Sequence, residues 1–332
     1  MTKEKMRLLR SKLVRTLQLL NLAKQKNLID NEEYTKTTKK YRKKILSLPI
    51  ENKEQAPPYE ILEGFAFKIA FVLVAFFAAA YFLPSALELT SKKPSFLFVA
   101  FGCPLVYLVI VYLLDKYEPE PKLYVAGAFM WGAISTVIAL YLNQFTAGIF
   151  TMAISICLAG VTEELAKGIG LFRLSKHPEY HDTLDAIVYG FAVGLGFAAV
   201  ENLFYYYQFT QATGKANQLL GNVITMVAIR ASLCALGHAV FTTIIALVLA
   251  KAKQAKGVPD LGDFVKGYIL AALVHGSFNY FCITIGNASI LVNSIIVITG
   301  LYIFWLIIKN NWKEARNDKN YFKNLGIPSD IQ

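Results

Sequence analysis

The sequence has few charged residues for its length and only four cysteines. Charged residues make up 17% of the 332 positions, whereas 55% are hydrophobic, far more than a soluble domain needs for its core. The cysteines are far apart in apolar runs, and none shows the paired spacing of a metal site or a redox motif. These shortages argue against a soluble disulfide-rich domain and make the lipid bilayer the expected solvent.

The basic N-terminal segment lacks the apolar core and small-residue cleavage site of a signal peptide, so none is expected. Fifteen of the 34 Lys and Arg residues precede Phe65 and contribute much of the formal net charge of +11. Leucines alternate with these basic residues and predict a cytoplasmic helical hairpin over residues 1–60. Such a segment favours anionic lipid as its partner rather than nucleic acid.

Long hydrophobic runs occupy most of the remaining chain. A helix needs about 20 apolar residues to cross a bilayer core of roughly 30 Å, and unpaired backbone groups cannot face lipid. We therefore predict an all-α transmembrane bundle over residues 61–310, followed by a basic cytoplasmic tail over 311–332. The eight predicted spans are 65–83, 96–114, 123–142, 149–172, 184–207, 223–250, 267–285 and 289–308.

The distribution of Lys and Arg between these spans predicts their orientation. The connections after spans two, four and six are rich in Lys and Arg, as is the C-terminal tail. The opposite connections hold only Lys92, Lys93 and Lys215. The positive-inside rule therefore predicts that both termini are cytoplasmic, which agrees with an even number of spans.

Ionisable side chains are concentrated in spans four to seven. Each costs roughly 2.5–3.5 kcal/mol in the middle of a membrane helix, so a cluster of them indicates a functional site. The candidate site residues are Glu163, Glu164 and Lys167 in span four, Glu201 and Asn202 in span five, Arg230 and His238 in span six, and His275 and Asn279 in span seven.

Helical spacing gives these residues provisional roles. Glu163 and Lys167 share a helix face and are predicted to pair, which would leave Glu164 free to act as a general base. Glu201 and Arg230 either form a structural ion pair or belong to the site. Asp182 and Asp185 are expected to cap the start of span five.

The cluster suits the addition of water to a peptide carbonyl, and two mechanisms fit. In one, Glu201, His238 and His275 hold Zn²⁺ and Glu164 deprotonates a water molecule. In the other there is no metal: Glu164 activates water, His238 positions it, and His275 and Asn279 stabilise the oxyanion. The residue pattern leaves this choice open.

Two other functions compete with proteolysis. Intramembrane carboxylates and histidines also form the proton relays of membrane carriers, although the chain shows no inverted repeat and no pair of broken helices. A catalytically inactive immunity or scaffold protein would keep the same fold without the chemistry. Loss of cleavage in Glu164→Gln, without solute transport, would distinguish the protease from both.

Four stretches of the sequence resemble the PrsW family of intramembrane proteases, which is related to the CAAX prenyl endopeptidase and bacteriocin-immunity group. They are Asp115 to Pro121, Glu163-Glu-x-x-Lys167, Gly190 to Tyr205 with Glu201-Asn202, and the two histidines with His275-x-x-x-Asn279.

This resemblance implies an endopeptidase in the bacterial cytoplasmic membrane, with Glu163, Glu164, Glu201, His238, His275 and Asn279 at motif positions. It also implies a substrate class, the single-span anti-sigma factors whose first cleavage starts a stress response. Glu201 and Lys167 differ from the corresponding CAAX endopeptidase residues, which argues against prenylated substrates.

Overall fold

The regular structure of the described residues is entirely helical. The computed structural model describes residues 94–115, 119–177, 180, 182–212 and 220–324, with a few isolated positions between 29 and 40. No strand occurs in this part of the chain, which confirms the predicted all-α class. The first predicted span and, apart from the isolated positions, the N-terminal hairpin lie outside the described residues.

Each of the other seven predicted spans overlaps a helix. The elements are α1 (Pro94–Leu114), α2 (Lys122–Ile149), α3 (Met152–Leu174), α4 (Thr183–Ala212), α5 (Leu220–Ile229), a π-helical turn (Arg230–Cys234), α6 (Ala235–Lys256), α7 (Leu261–Thr284) and α8 (Ala288–Asn324). The largest difference is in α8, which continues to Asn324, past the predicted end at residue 308. Helix α2 continues about two turns beyond its predicted end at residue 142, and neither extension contains a proline that would break the helix.

Four helical stretches of the described chain are long and apolar enough to cross a membrane. They are Lys122–Ile149, Thr183–Gln208, Thr225–Lys256 and Ala288–Trp312. Helix α3 carries four charged residues, and α7 carries two charged residues among several other polar ones; both fall outside this set. The complete eight-span arrangement therefore stays a prediction.

Helix ends follow local sequence. The Asp182 carboxylate accepts hydrogen bonds from the backbone N–H groups of Leu184 and Asp185, and the Asp185 carboxylate accepts one from the N–H of Asp182. This reciprocal cap fixes the start of α4 and confirms the predicted capping role of both residues. Gly257, with φ 93°, ends α6 in a conformation that residues with a Cβ rarely adopt.

Glycines allow α4 to lie between α2 and α6 at close range. A Cβ atom at Gly194 would lie 2.5 Å from the His238 carbonyl oxygen on α6, and one at Gly196 would lie 2.0 Å from the Phe129 carbonyl oxygen on α2. Small residues therefore let these helix backbones approach closely, as they commonly do between membrane helices. Helix α7 also packs on α3 and α6, so the helices with ionisable residues surround a common space within the unit formed by residues 68–308.

Candidate active site

A cavity of about 290 Å³ lies between α2, α3, α4, α6 and α7. Six of the predicted site residues line it, and the aromatic side chains of Phe197, Phe204, Phe241 and Phe278 form much of its apolar wall. The structure therefore brings the polar residues of four helices to one place. The six lining residues are Glu163, Glu201, Arg230, His238, His275 and Asn279.

Glu163 has two carboxylate oxygens in different environments. Its Oε1 accepts a hydrogen bond of 3.2 Å from the Asn143 side-chain amide. Its Oε2 is buried without a hydrogen-bond partner. This oxygen lies 3.7 Å from His275 Nε2 and 4.0 Å from His238 Nδ1, so a carboxylate and two imidazoles face one point.

In each of these histidines, the ring nitrogen that faces away from Glu163 lies close to another carboxylate. His275 Nδ1 lies 2.9 Å from Glu164 Oε1, and His238 Nε2 lies 2.8 Å from Glu201 Oε2. An ionised carboxylate only accepts hydrogen bonds, so we assign the ring proton of each neutral histidine to the nitrogen that faces its carboxylate. The other nitrogen then presents a lone pair toward Glu163.

Lys167 binds Glu164 rather than Glu163, which corrects the predicted pairing. Its ammonium group contacts Glu164 Oε1 and lies 3.2 Å from His238 Nδ1. Glu164 Oε2 accepts a further hydrogen bond of 3.1 Å from the Thr242 hydroxyl. Glu164 is thus fully buried and engaged through both oxygens, and the lysine reaches it because residues three apart also share a helix face.

Glu201 and Arg230 form the predicted ion pair, with 2.5 Å between Arg230 Nη2 and Glu201 Oε2. Asn202 holds the arginine through its side chain. Its Oδ1 accepts a hydrogen bond of 3.1 Å from Arg230 Nε, and its Nδ2 donates one of 3.3 Å to the Arg230 backbone carbonyl. The guanidinium group also lies over the Tyr205 ring. Glu201 therefore links a fixed cation to His238.

Asn279 lines the cavity, and its side-chain amide donates a hydrogen bond of 3.1 Å to the Ile156 carbonyl oxygen. This bond joins α7 to α3 one turn along α7 from His275. The predicted role of Asn279 as an oxyanion donor stays a prediction.

Two site residues, Asn143 and Thr242, were not predicted from the sequence. Both are neutral, so neither has the energetic cost that makes an intramembrane charge conspicuous. Thr242 lies four residues after His238, and this spacing on one helix face could have identified it. Asn143 has no comparable indication, because it reaches the site across a helix interface.

The donor set at the cavity fits a metal ion. One ligand atom each from Glu163, His238 and His275 lies within 4.8 Å of the other two. Carboxylate oxygen and imidazole nitrogen are common zinc ligands, and the unpartnered Oε2 of Glu163 is the kind of atom that coordination would satisfy. Glu201, which the sequence suggested as the carboxylate ligand, instead contacts the opposite nitrogen of His238.

A comparison with protein families agrees with this geometry. The family model described as PrsW family intramembrane metalloprotease matches residues 120–308, more than half of the chain. The chain belongs to this family. The match covers every helix that lines the cavity, and together with the apolar helices it establishes an integral membrane protein.

Several curated relatives, all from bacteria, carry the name Protease PrsW. The Bacillus subtilis protein is 26% identical over 181 residues, which are 53% of this chain and 77% of the relative. The Geobacillus kaustophilus protein is 32% identical over 149 residues, 43% of this chain and 60% of the relative. The Oceanobacillus iheyensis protein is 26% identical over 219 residues, 64% of this chain and 93% of the relative. No solved structure matches the chain.

Proposed function

We propose that this PrsW family member is an intramembrane endopeptidase that cleaves membrane-anchored proteins at a metal site formed by Glu163, His238 and His275. The supporting observation is that three hydrogen-bond acceptors face one point in a buried cavity. Lys167 can donate to His238 Nδ1, whereas Glu163 Oε2 has no hydrogen-bond donor, and a bound cation would satisfy this oxygen. Zinc bound by these residues would act as a Lewis acid toward a peptide carbonyl and a water molecule.

Glu164 and Glu201 contact the histidine ring nitrogens that face away from the proposed metal site. A carboxylate that accepts the ring N–H of a ligand histidine fixes its tautomer and its orientation. Glu164 serves His275 in this way and Glu201 serves His238. Lys167 and Arg230 balance the charges of these two carboxylates.

Glu201 is the better placed general base. The sequence suggested Glu164, but both oxygens of Glu164 are engaged and it does not line the cavity. Glu201 does line the cavity, and its contacts with Arg230 and His238 use a single oxygen, Oε2. We propose that Glu201 takes a proton from the attacking water, while Asn279 and Arg230 face the developing negative charge from the same cavity.

The proposed substrate is the transmembrane segment of a single-span protein, and an anti-sigma factor is the class that the family resemblance implies. The aromatic and aliphatic walls suit an apolar segment that has been unwound to expose a peptide bond. The proposed topology remains eight spans in the bacterial cytoplasmic membrane, with both termini in the cytoplasm.

The decisive experiment measures zinc content and cleavage of a single-span substrate on one purified sample, before and after chelation. We expect bound zinc, loss of cleavage on its removal and recovery when zinc returns. Glu163→Gln should bind little zinc and cleave nothing. Glu120→Gln is the matched control, because this buried carboxyl lies outside the cavity and its replacement should change neither property.

Other outcomes would contradict parts of the proposal. Cleavage that persists without zinc and disappears in Glu164→Gln would favour the metal-free mechanism. A zinc-loaded sample that cleaves no single-span substrate would contradict the proposed endopeptidase activity on this class.

A further inference from the structure

Asn143 is a cavity-lining residue on α2, outside the four helices that carry the ionisable groups. Its side-chain Nδ2 donates to Glu163 Oε1 at 3.2 Å. No other hydrogen bond to Glu163 occurs among the described residues, so this amide is the contact that distinguishes its two oxygens.

The orientation of the Asn143 amide is itself determined by α3. A carboxylate only accepts hydrogen bonds, so Glu163 requires the NH₂ group of Asn143 and leaves Oδ1 to contact the Thr162 hydroxyl. Thr162 and Glu163 are adjacent in sequence, so one turn of α3 both orients the amide and receives its hydrogen bond.

Asn143 also explains why the pairing predicted from helical spacing is not formed. Glu163 and Lys167 are four residues apart, within reach of an ion pair on one helix face. The amide instead holds Glu163 Oε1 toward α2, and Lys167 contacts Glu164. Without the amide, Oε1 would be buried without a donor, and rotation of Glu163 toward the lysine would be the available way to satisfy it.

We propose that Asn143 is a positioning residue that holds Glu163 Oε2 toward His238 and His275. The inference rests on the proposed function, since it treats these three residues as a metal site. Partners of this kind, which contact a ligand but not the metal, typically contribute 10–100-fold in metal affinity.

The test measures zinc affinity by competition with a chelator. Asn143→Leu removes the hydrogen-bond donor at similar side-chain volume, whereas Asn143→Gln keeps an amide donor. We expect zinc affinity to fall about 10–100-fold in Asn143→Leu, with partial recovery in Asn143→Gln, which restores an amide on a longer side chain. Cleavage by Asn143→Leu should return when zinc is in excess.

Asn293→Leu is the matched control. Asn293 is a buried membrane-helix asparagine whose amide donates to the Phe278 carbonyl, and it does not line the cavity. Its replacement should lower thermal stability at least as much as Asn143→Leu while leaving zinc affinity unchanged.

The outcomes separate this inference from the proposed function. If Glu163→Gln loses zinc but Asn143→Leu binds it like the wild type, the positioning role is wrong and the metal site stands. If Asn143→Leu and Asn293→Leu weaken zinc binding equally, Asn143 acts only through folding and the inference is wrong. If the wild type binds no zinc, the metal site is wrong, and the inference fails with it.

Discussion

Two groups of buried acidic residues in this protein differ in what surrounds them. In the first group, Glu163 faces His238 and His275 in the cavity. Glu164, which lies outside the cavity lining, is paired with Lys167, and Glu201 is paired with Arg230. Near the ends of α1, α2 and α4, the carboxyl groups of Asp115, Glu120 and Asp185 face one another.

The second group, the helix-end cluster of Asp115, Glu120 and Asp185, is stabilised by a proton. Burial, followed by the neighbouring Asp185, raises the pKa of Glu120 to about 10, so this carboxyl is protonated near neutral pH. Tyr189 donates a hydrogen bond to it. The comparison shows that buried carboxyl groups can be stabilised by fixed cations or by protonation. Only the first of these two groups includes histidine, and it is the group that we propose as the active site.

The largest expected effect is that of Glu201→Gln on cleavage. Removing the proposed base should lower kcat about 10²–10⁴-fold, the usual contribution of general acid–base catalysis. The loss should persist when excess zinc offsets the weaker orientation of His238. Zinc content and single-turnover cleavage on the same sample would measure this. Near-normal cleavage by Glu201→Gln, together with a zinc-loaded but inactive Glu164→Gln, would indicate that Glu164 is the general base, as the sequence suggested.

A smaller effect is expected for Glu164→Gln. The change weakens the contact that orients His275, so zinc affinity should fall about 10–100-fold and cleavage should recover in excess zinc. Thr242→Val, which removes the hydroxyl from Glu164 Oε2, should act in the same direction but less strongly. Chelator competition on the three proteins measures this order, and unchanged affinity in Glu164→Gln would contradict the proposed role.

The smallest effect on activity is expected in the helix-end cluster. Glu120 is more readily protonated in the folded chain than in the unfolded chain, where its pKa is near 4.5. Its contribution to stability is therefore fully present below about pH 4.5 and is lost as the pH rises toward 10. Glu120→Gln stays neutral at every pH, so its Tm should decline less across this range than that of the wild type.

Thermal unfolding of both proteins at a series of pH values tests this sign, with zinc content and cleavage as controls. Parallel declines in Tm would contradict the protonated state of Glu120. A loss of zinc in Glu120→Gln would contradict the separation of the two groups.

Much of the helical architecture was predictable because it depends on local properties. Seven of the eight predicted spans overlap helices of the described chain, and the spacing of Asp182 and Asp185 identified a helix cap. The predicted third span ends at residue 142, whereas α2 continues through Asn143 to Ile149, because asparagine does not break a helix. Because the predicted span ended too early, Asn143 was not among the predicted site residues.

The candidate site was predictable as a set of residues but not as a set of contacts. Six predicted residues line one cavity, because intramembrane charges are costly and are therefore informative in a sequence. Helical spacing allows Lys167 to pair with either Glu163 or Glu164. Contacts from neighbouring helices decide between them: Asn143 hydrogen-bonds to Glu163. Thr242 and His275 contact Glu164.

The sequence by itself determined that the chain forms apolar helices and which of them carry ionisable residues, since both depend on composition within about 20 residues. The tertiary structure decided which histidine nitrogen faces Glu163, which carboxylate lies behind each ring and which amide holds Glu163. These contacts depend on how helices rotate and cross, and the approach of α4 to α6 depends on small residues such as Gly194. Residues as far apart in sequence as Glu164 and His275, separated by 111 positions, become partners only when those helices pack.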